Sequence, residues 1–115
     1  MKQLLKEVDT ERLFKHILEL EGPNDQIYNP EKLDSAANYI YSELELYGLQ
    51  VDEQHIEVDN KKFRNIEGLI DTGENPELLL TAHYDTVPQS PGADDNLSAV
   101  SVMLEAARAP PGHLR

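Results

Sequence analysis

Apolar residues recur in DTERLFKHILELEG, residues 9–22, at Leu13, Phe14, Ile17, Leu18 and Leu20, the spacing of an amphipathic helix. Asp9 or Thr10 can cap its start, and Gly22 followed by Pro23 stops it. GPNDQIYNP then reads as a loop from its Pro, Gly, Asn and Asp content. PEKLDSAANYIYSELELYGLQ, residues 30–50, predicts a second helix, with Leu33, Ala36, Ala37, Ile40, Leu44 and Tyr47 on one face. Pro30 suits its first turn, and Gly48 stands where a left-handed residue closes a helix. LQVDEQHIEVDN and KKFRNIEGLID are rich in β-formers and predict a hairpin about the turn pair Asp59-Asn60. TGENPE is a further turn. ELLLTAHYD, residues 77–85, has an unbroken apolar run from Leu78 to Leu80, which suits a strand buried on both faces. After the loop DTVPQSPGAD comes a last helix, NLSAVSVMLEAAR, with Leu97, Val100, Leu104 and Ala107 on one side and Pro110-Pro111 beyond it. The order of elements is helix, helix, three strands, helix: an α/β fold.

A chain of 115 residues suits a single domain, residues 1–115, with 109–115 expected as a disordered tail. Hydrophobic content of 39% and charged content of 28% are ordinary for a globular protein. The net charge of −12 changes the picture more. It argues against nucleic acid and anionic membrane surfaces as partners, and it permits cation binding without requiring it. No cysteine is present, so disulfides and thiolate metal sites are excluded. The N-terminus mixes charges into its apolar residues, unlike a secretory signal, and no apolar run reaches the length of a membrane span. A soluble, cytoplasmic protein is expected.

The candidate chemistry lies where the buried strand gives way to the last helix. His83 and Asp85 are two residues apart at a strand end, so the strand period puts both on one face. In open α/β sheets that end is where ligand sites form. The loop then delivers Asp94 and Asp95 just before the helix. Imidazole and carboxylates without thiolates suit zinc or a similar divalent ion. Asp85 can accept the imidazole N–H and fix its tautomer. The competing reading of Asp94 or Asp95 is a plain helix N-cap.

Taken whole, HYDTVPQSPGADDNLSAVSVMLEAAR closely resembles the zinc-dependent aminopeptidases of the MH clan, the di-zinc exopeptidases. The resemblance rests on His83-Tyr84-Asp85 together with Gly92-Ala93-Asp94-Asp95-Asn96, and the segments from about residue 10 agree with it. It implies a part of a three-layer zinc-exopeptidase sandwich. It implies that His83 binds one zinc, Asp94 bridges two, Asp85 supports His83 as a catalytic-site residue, and Asp95 holds the Asp94 carboxylate. The peptide between Asp94 and Asp95 would then be cis. The family's general-base glutamate, a further acidic ligand and a second histidine belong to later segments, and only APPGHLR follows Arg108. His113 reads as a tail residue, His16 and His55 as surface residues of a helix and a strand, and Glu105 as a residue on the polar side of the last helix.

These readings predict an N-terminal portion of a metallo-aminopeptidase, a hydrolase that removes N-terminal residues from peptides when complete and is inactive as this chain alone. Zinc, two ions in a complete member, would be held weakly here. An exposed strand edge predicts a homo-oligomer. The alternatives are an acidic, non-catalytic interaction module, and a piece of a related zinc carboxypeptidase or deacylase, which AHYDTVP also resembles.

Overall fold

The computed structural model describes residues 9–70 and 82–108. The apolar run Leu78–Leu80 and the expected tail, with His113, lie outside them. The described chain forms α1 (Thr10–Leu20), α2 (Pro30–Leu46), β1 (Gln50–Val58), β2 (Lys61–Leu69), a wide turn (Ala93–Leu97) and α3 (Ser98–Arg108). This is the expected mix of helices and sheet, with the two hairpin strands paired; of the third expected strand, residues 77–81 lie outside the described residues and 82–87 run as irregular backbone.

Local chemistry accounts for the boundaries. The Asp9 carboxylate caps α1 by accepting from Glu11 N–H at 2.9 Å. Pro30 occupies the first turn of α2, where a missing N–H costs no helical bond. Gly48, at φ +87°, supplies the left-handed exit after α2. The strands pair antiparallel from Gln50 opposite Leu69 to Val58 opposite Lys61. Asp59 and Asn60 both take positive φ, 51° and 65°, in the tight turn between them, the conformation a two-residue hairpin loop needs.

The core gathers Leu20 from α1, Ala36, Ile40 and Leu44 from α2, Leu97 from the wide turn, and Val100 and Leu104 from α3. Val51, Ile66 and Tyr84 pack against it. Arg64 fastens the hairpin to α2: its guanidinium donates to Asp34 Oδ1 at 2.6 Å, Asn38 Oδ1 at 3.0 Å and Glu53 Oε1 at 2.8 Å. Gly68 allows the close approach, since a Cβ there would lie 2.9 Å from a Leu49 methyl and 3.1 Å from one of Leu44.

Three expectations are corrected. The inward face of α1 is rotated from the apolar stripe: Phe14 and Leu18 are 61% and 55% exposed, whereas His16 is 1% exposed. His16 is therefore no surface residue; its Nδ1 lies 2.8 Å from the Tyr39 hydroxyl. Glu105 is fully buried rather than on a polar side, because Arg12 and His16 of α1 and Arg108 of its own helix meet it there. The paired charges remove the reason for that carboxylate to stay in water. Among the described residues, no helix is long and apolar enough to cross a membrane.

Candidate functional site

Residues 82–86 pass beside β2, where the Tyr84 hydroxyl donates to Arg64 O at 2.6 Å. Tyr84 is thereby drawn into the core, and burial raises its pKa. The alternation of the chain sends its neighbours His83 and Asp85 the other way, into solvent, with side chains 55% and 65% exposed. They meet there: His83 Nδ1 lies 3.1 Å from Asp85 Oδ1 and 3.2 Å from Asp85 O. A carboxylate on Nδ1 holds the ring's orientation and leaves Nε2 as the free coordinating nitrogen.

Thr86 through Gly92 form the loop, and the wide turn brings the chain back. Gly92 opens that turn at φ +74°, and Leu97 N–H returns to Gly92 O at 3.1 Å. Within it Asp95 (φ −112°, ψ 92°) and Asn96 (φ −134°, ψ 26°) leave helical geometry, and α3 begins only at Ser98. Asp94 and Asp95 thus precede the helix inside the turn instead of capping α3. Ser98 Oγ donates to Asp94 O at 2.8 Å. The peptide between Asp95 and Asn96 is cis, one bond later than the resemblance implies. The turn from Gly92 to Leu97 sets that register, with the departure from helical backbone falling at Asp95 and Asn96.

The result is a convergence of His83 with Asp95. His83 Nε2 and Asp95 Oδ1 are 3.3 Å apart, and the Asp95 side chain is 84% exposed. The carboxylate that meets this nitrogen is therefore that of Asp95, where the sequence reading placed Asp94. Asp94 and Asp95 are adjacent, acidic and equally placed in the hydropathy pattern; only the backbone angles at 95 and 96 separate them. Among the described residues, no group of three or more His, Cys, Asp or Glu comes close enough to hold a metal ion.

The donor set nevertheless fits zinc as far as it goes. Two donors on one tetrahedral zinc, each about 2.0–2.1 Å from the metal, stand about 3.3 Å apart. The His83–Asp95 separation of 3.3 Å matches that spacing. One imidazole nitrogen and one carboxylate oxygen, open to solvent, would supply two of the four donors that a tetrahedral zinc takes.

Comparison with known proteins finds similarity over this part of the chain. Residues 65–111 match Peptidase family M28. Aminopeptidase YwaD of Bacillus subtilis (strain 168) is 53% identical over 49 residues, covering 42% of this chain and 9% of that protein. The uncharacterized protein YfbL of Escherichia coli (strain K12) is 31% identical over 88 residues, covering 70% of this chain and 27% of that protein. The matched stretch thus spans about a quarter or less of the length of either relative. The family match covers β2 from Asn65 onward, the His83-x-Asp85 segment, the loop, the wide turn and α3, and over that segment the chain is similar to peptidase family M28.

Proposed function

We propose that this chain carries one half of the metal centre of a zinc-dependent aminopeptidase, with His83 and Asp95 as ligands and Asp85 as the residue that orients His83. The single observation that carries the reading is the 3.3 Å approach of His83 Nε2 to Asp95 Oδ1. Asp95 takes the bridging role that the resemblance gave to Asp94, because its oxygen is the one beside the imidazole. Bound zinc would supply Lewis-acid polarisation of a peptide carbonyl and a water of lowered pKa. The residues here hold and orient. Asp85 would orient the His83 ring, and His83 Nε2 with the Asp95 carboxylate would hold the ion. The chain alone is proposed to be inactive, since the two candidate ligands among the described residues fall short of the three or four that zinc sites use.

Isothermal titration with zinc tests this. The wild-type chain should bind weakly, and His83→Ala and Asp95→Asn should each abolish the heat, while Asp94→Asn retains it. Loss with Asp94→Asn and retention with Asp95→Asn would reverse the assignment. An aminoacyl-anilide should not be hydrolysed by the zinc-supplemented chain, and turnover that His83→Ala removes would refute the proposed inactivity.

A second reading, an acidic module that associates with another copy through a strand edge, is supported by β1, where Ile56 and Val58 are 38% and 52% exposed. Light scattering after size exclusion should show a dimer that Val58→Lys dissociates; a monomer at high concentration removes this reading.

A further inference from the structure

Both arms of the loop bearing His83, Asp85 and Asp95 hang on one short connection. That connection is residues 22–24, between α1 and α2, and it lies distant in sequence from the site. Gly22 N–H donates to Pro91 O at 2.7 Å, holding the arm that leads into Asp94 and Asp95. The other arm, which follows His83, is held by a reciprocal pair: Thr86 N–H donates to Asn24 O at 2.6 Å, and Asn24 N–H donates to Thr86 Oγ1 at 2.8 Å. Asn24 is fully buried and Thr86 nearly so, at 7% exposure.

The Asn24 side chain adds what backbone pairing cannot. Its Nδ2 donates to Leu20 O at 2.8 Å, a carbonyl of the last turn of α1, and to Tyr84 O at 3.3 Å, the peptide between His83 and Asp85. One amide therefore joins a helix end to the middle of the His-x-Asp segment. A carbonyl at a helix terminus lacks an intrahelical donor, so Leu20 O is open to side-chain donors, of which Asn24 Nδ2 is nearer than Lys32 Nζ at 3.4 Å. The neighbouring glycines permit the closeness. A Cβ on Gly22 would lie 2.1 Å from Asn24 N, and one on Gly92 would lie 2.2 Å from the Thr86 methyl.

We propose that Asn24 is a positioning residue for the candidate metal site, a cross-brace whose side-chain amide fixes the Tyr84 peptide and so the separation of His83 from Asp95. The part concerning metal rests on the reading of His83 and Asp95 as ligands; the brace itself does not. A helix-end anchor suits the task because α1 is packed into the core through Leu20 and cannot follow the loop.

Asn24→Ala, Thr86→Val and the control Ile40→Val, in the core of α2, provide the test, each first checked for a folded circular dichroism spectrum. The first readout needs no metal: amide hydrogen exchange at Gly22 and Thr86, and the ring-nitrogen NMR shifts of His83. Asn24→Ala should speed exchange at both amides tenfold or more and move the His83 shifts, whereas Ile40→Val should leave the ratio of these amides to core amides unchanged. The second readout is zinc affinity, expected to fall about 10–100-fold in Asn24→Ala, as for partners behind metal ligands, and within twofold of wild type in the control. If Asn24→Ala does not fold, Thr86→Val decides, with the same direction and a smaller exchange effect. Wild-type exchange and wild-type shifts in the brace variants overturn the proposal, as does an equal change in Ile40→Val. A wild-type chain that takes up no zinc would refute the metal reading of His83 and Asp95 while the exchange readout still decides the brace.

Discussion

Glu105→Ala should be among the costliest single substitutions in this chain. The carboxylate is fully buried and serves two helices at once. Oε1 accepts from the Arg108 guanidinium, including Nε at 2.7 Å, and from Asp9 N–H at 3.3 Å. Oε2 faces Arg12 Nε at 3.6 Å and His16 Nε2 at 3.7 Å. Removing one partner of a buried pair costs about 3–5 kcal/mol, because the remaining charge is left without compensation. Here the discount is visible: Arg12 and Arg108 side chains are 40% and 26% exposed and can turn towards water. The expected loss is therefore about 2–3 kcal/mol, a large part of the roughly 5–15 kcal/mol that holds a domain folded. Urea melts followed by circular dichroism would read it. Acid titration adds an independent check. Burial alone would raise the Glu105 pKa, but the hydrogen bond from Arg108, the Asp9 amide and the two guanidinium charges together hold it below its ordinary 4.5. The unfolded chain then takes up the proton first, so the contribution is complete above about pH 4.5 and is lost as pH falls through the lower folded value. Glu105→Gln should flatten that part of the stability curve. A loss under about 0.5 kcal/mol for Glu105→Ala, or an unchanged acid slope in Glu105→Gln, would show that the pairing does not hold α1 to α3.

His16 offers a second pH signature. Burial lowers its pKa below 6.5, against the pull of Glu43 and Glu105 and with Arg12 on its own helix adding to the lowering. The unfolded state protonates first, so stability should decline as pH drops below 6.5, and His16→Gln should remove that slope in melting temperature measured from pH 7 to 5. Arg64→Met should loosen the hairpin from α2 at a cost of about 1–2 kcal/mol, given its mostly exposed partner Asp34 and its better buried contact with Glu53. Amide exchange should rise in β1 and β2 more than in α2, and a uniform rise would contradict the local role.

What the sequence made legible is what neighbours along the chain decide. Helix starts at Thr10 and Pro30, the turn at Asp59-Asn60, the glycine after α2 and the meeting of His83 with Asp85 all follow from residues a few positions apart. Where the reading failed, the deciding partner lay elsewhere in the chain. A hydropathy pattern weighs Phe14 and Leu18 as inward and His16 as outward, yet the face of α1 turns because Tyr39 and Glu105 supply His16 with polar neighbours from other helices. Glu105 looks polar and exposed until Arg12 arrives from residues far upstream. Asn24 carries no signal beyond that of any loop asparagine, because its partners at Tyr84 and Thr86 stand some sixty positions away.

The same division explains the choice between the two aspartates and links it to the rest of the fold. Composition puts Asp94 and Asp95 on equal terms, and the backbone of the wide turn selects Asp95. That turn is fixed at three places: by Gly22 at Pro91, by Thr86 against Gly92, and by Leu97 sunk fully into the core. All three lead back to the packed interior. α1 anchors the loop through Leu20 and Asn24, and it anchors α3 through Arg12, His16 and Glu105. α1 therefore fixes both the segment that presents His83 and the helix that follows Asp95. The two segments whose side chains meet at 3.3 Å on the surface, at His83 and Asp95, are thus held from the buried side of the molecule.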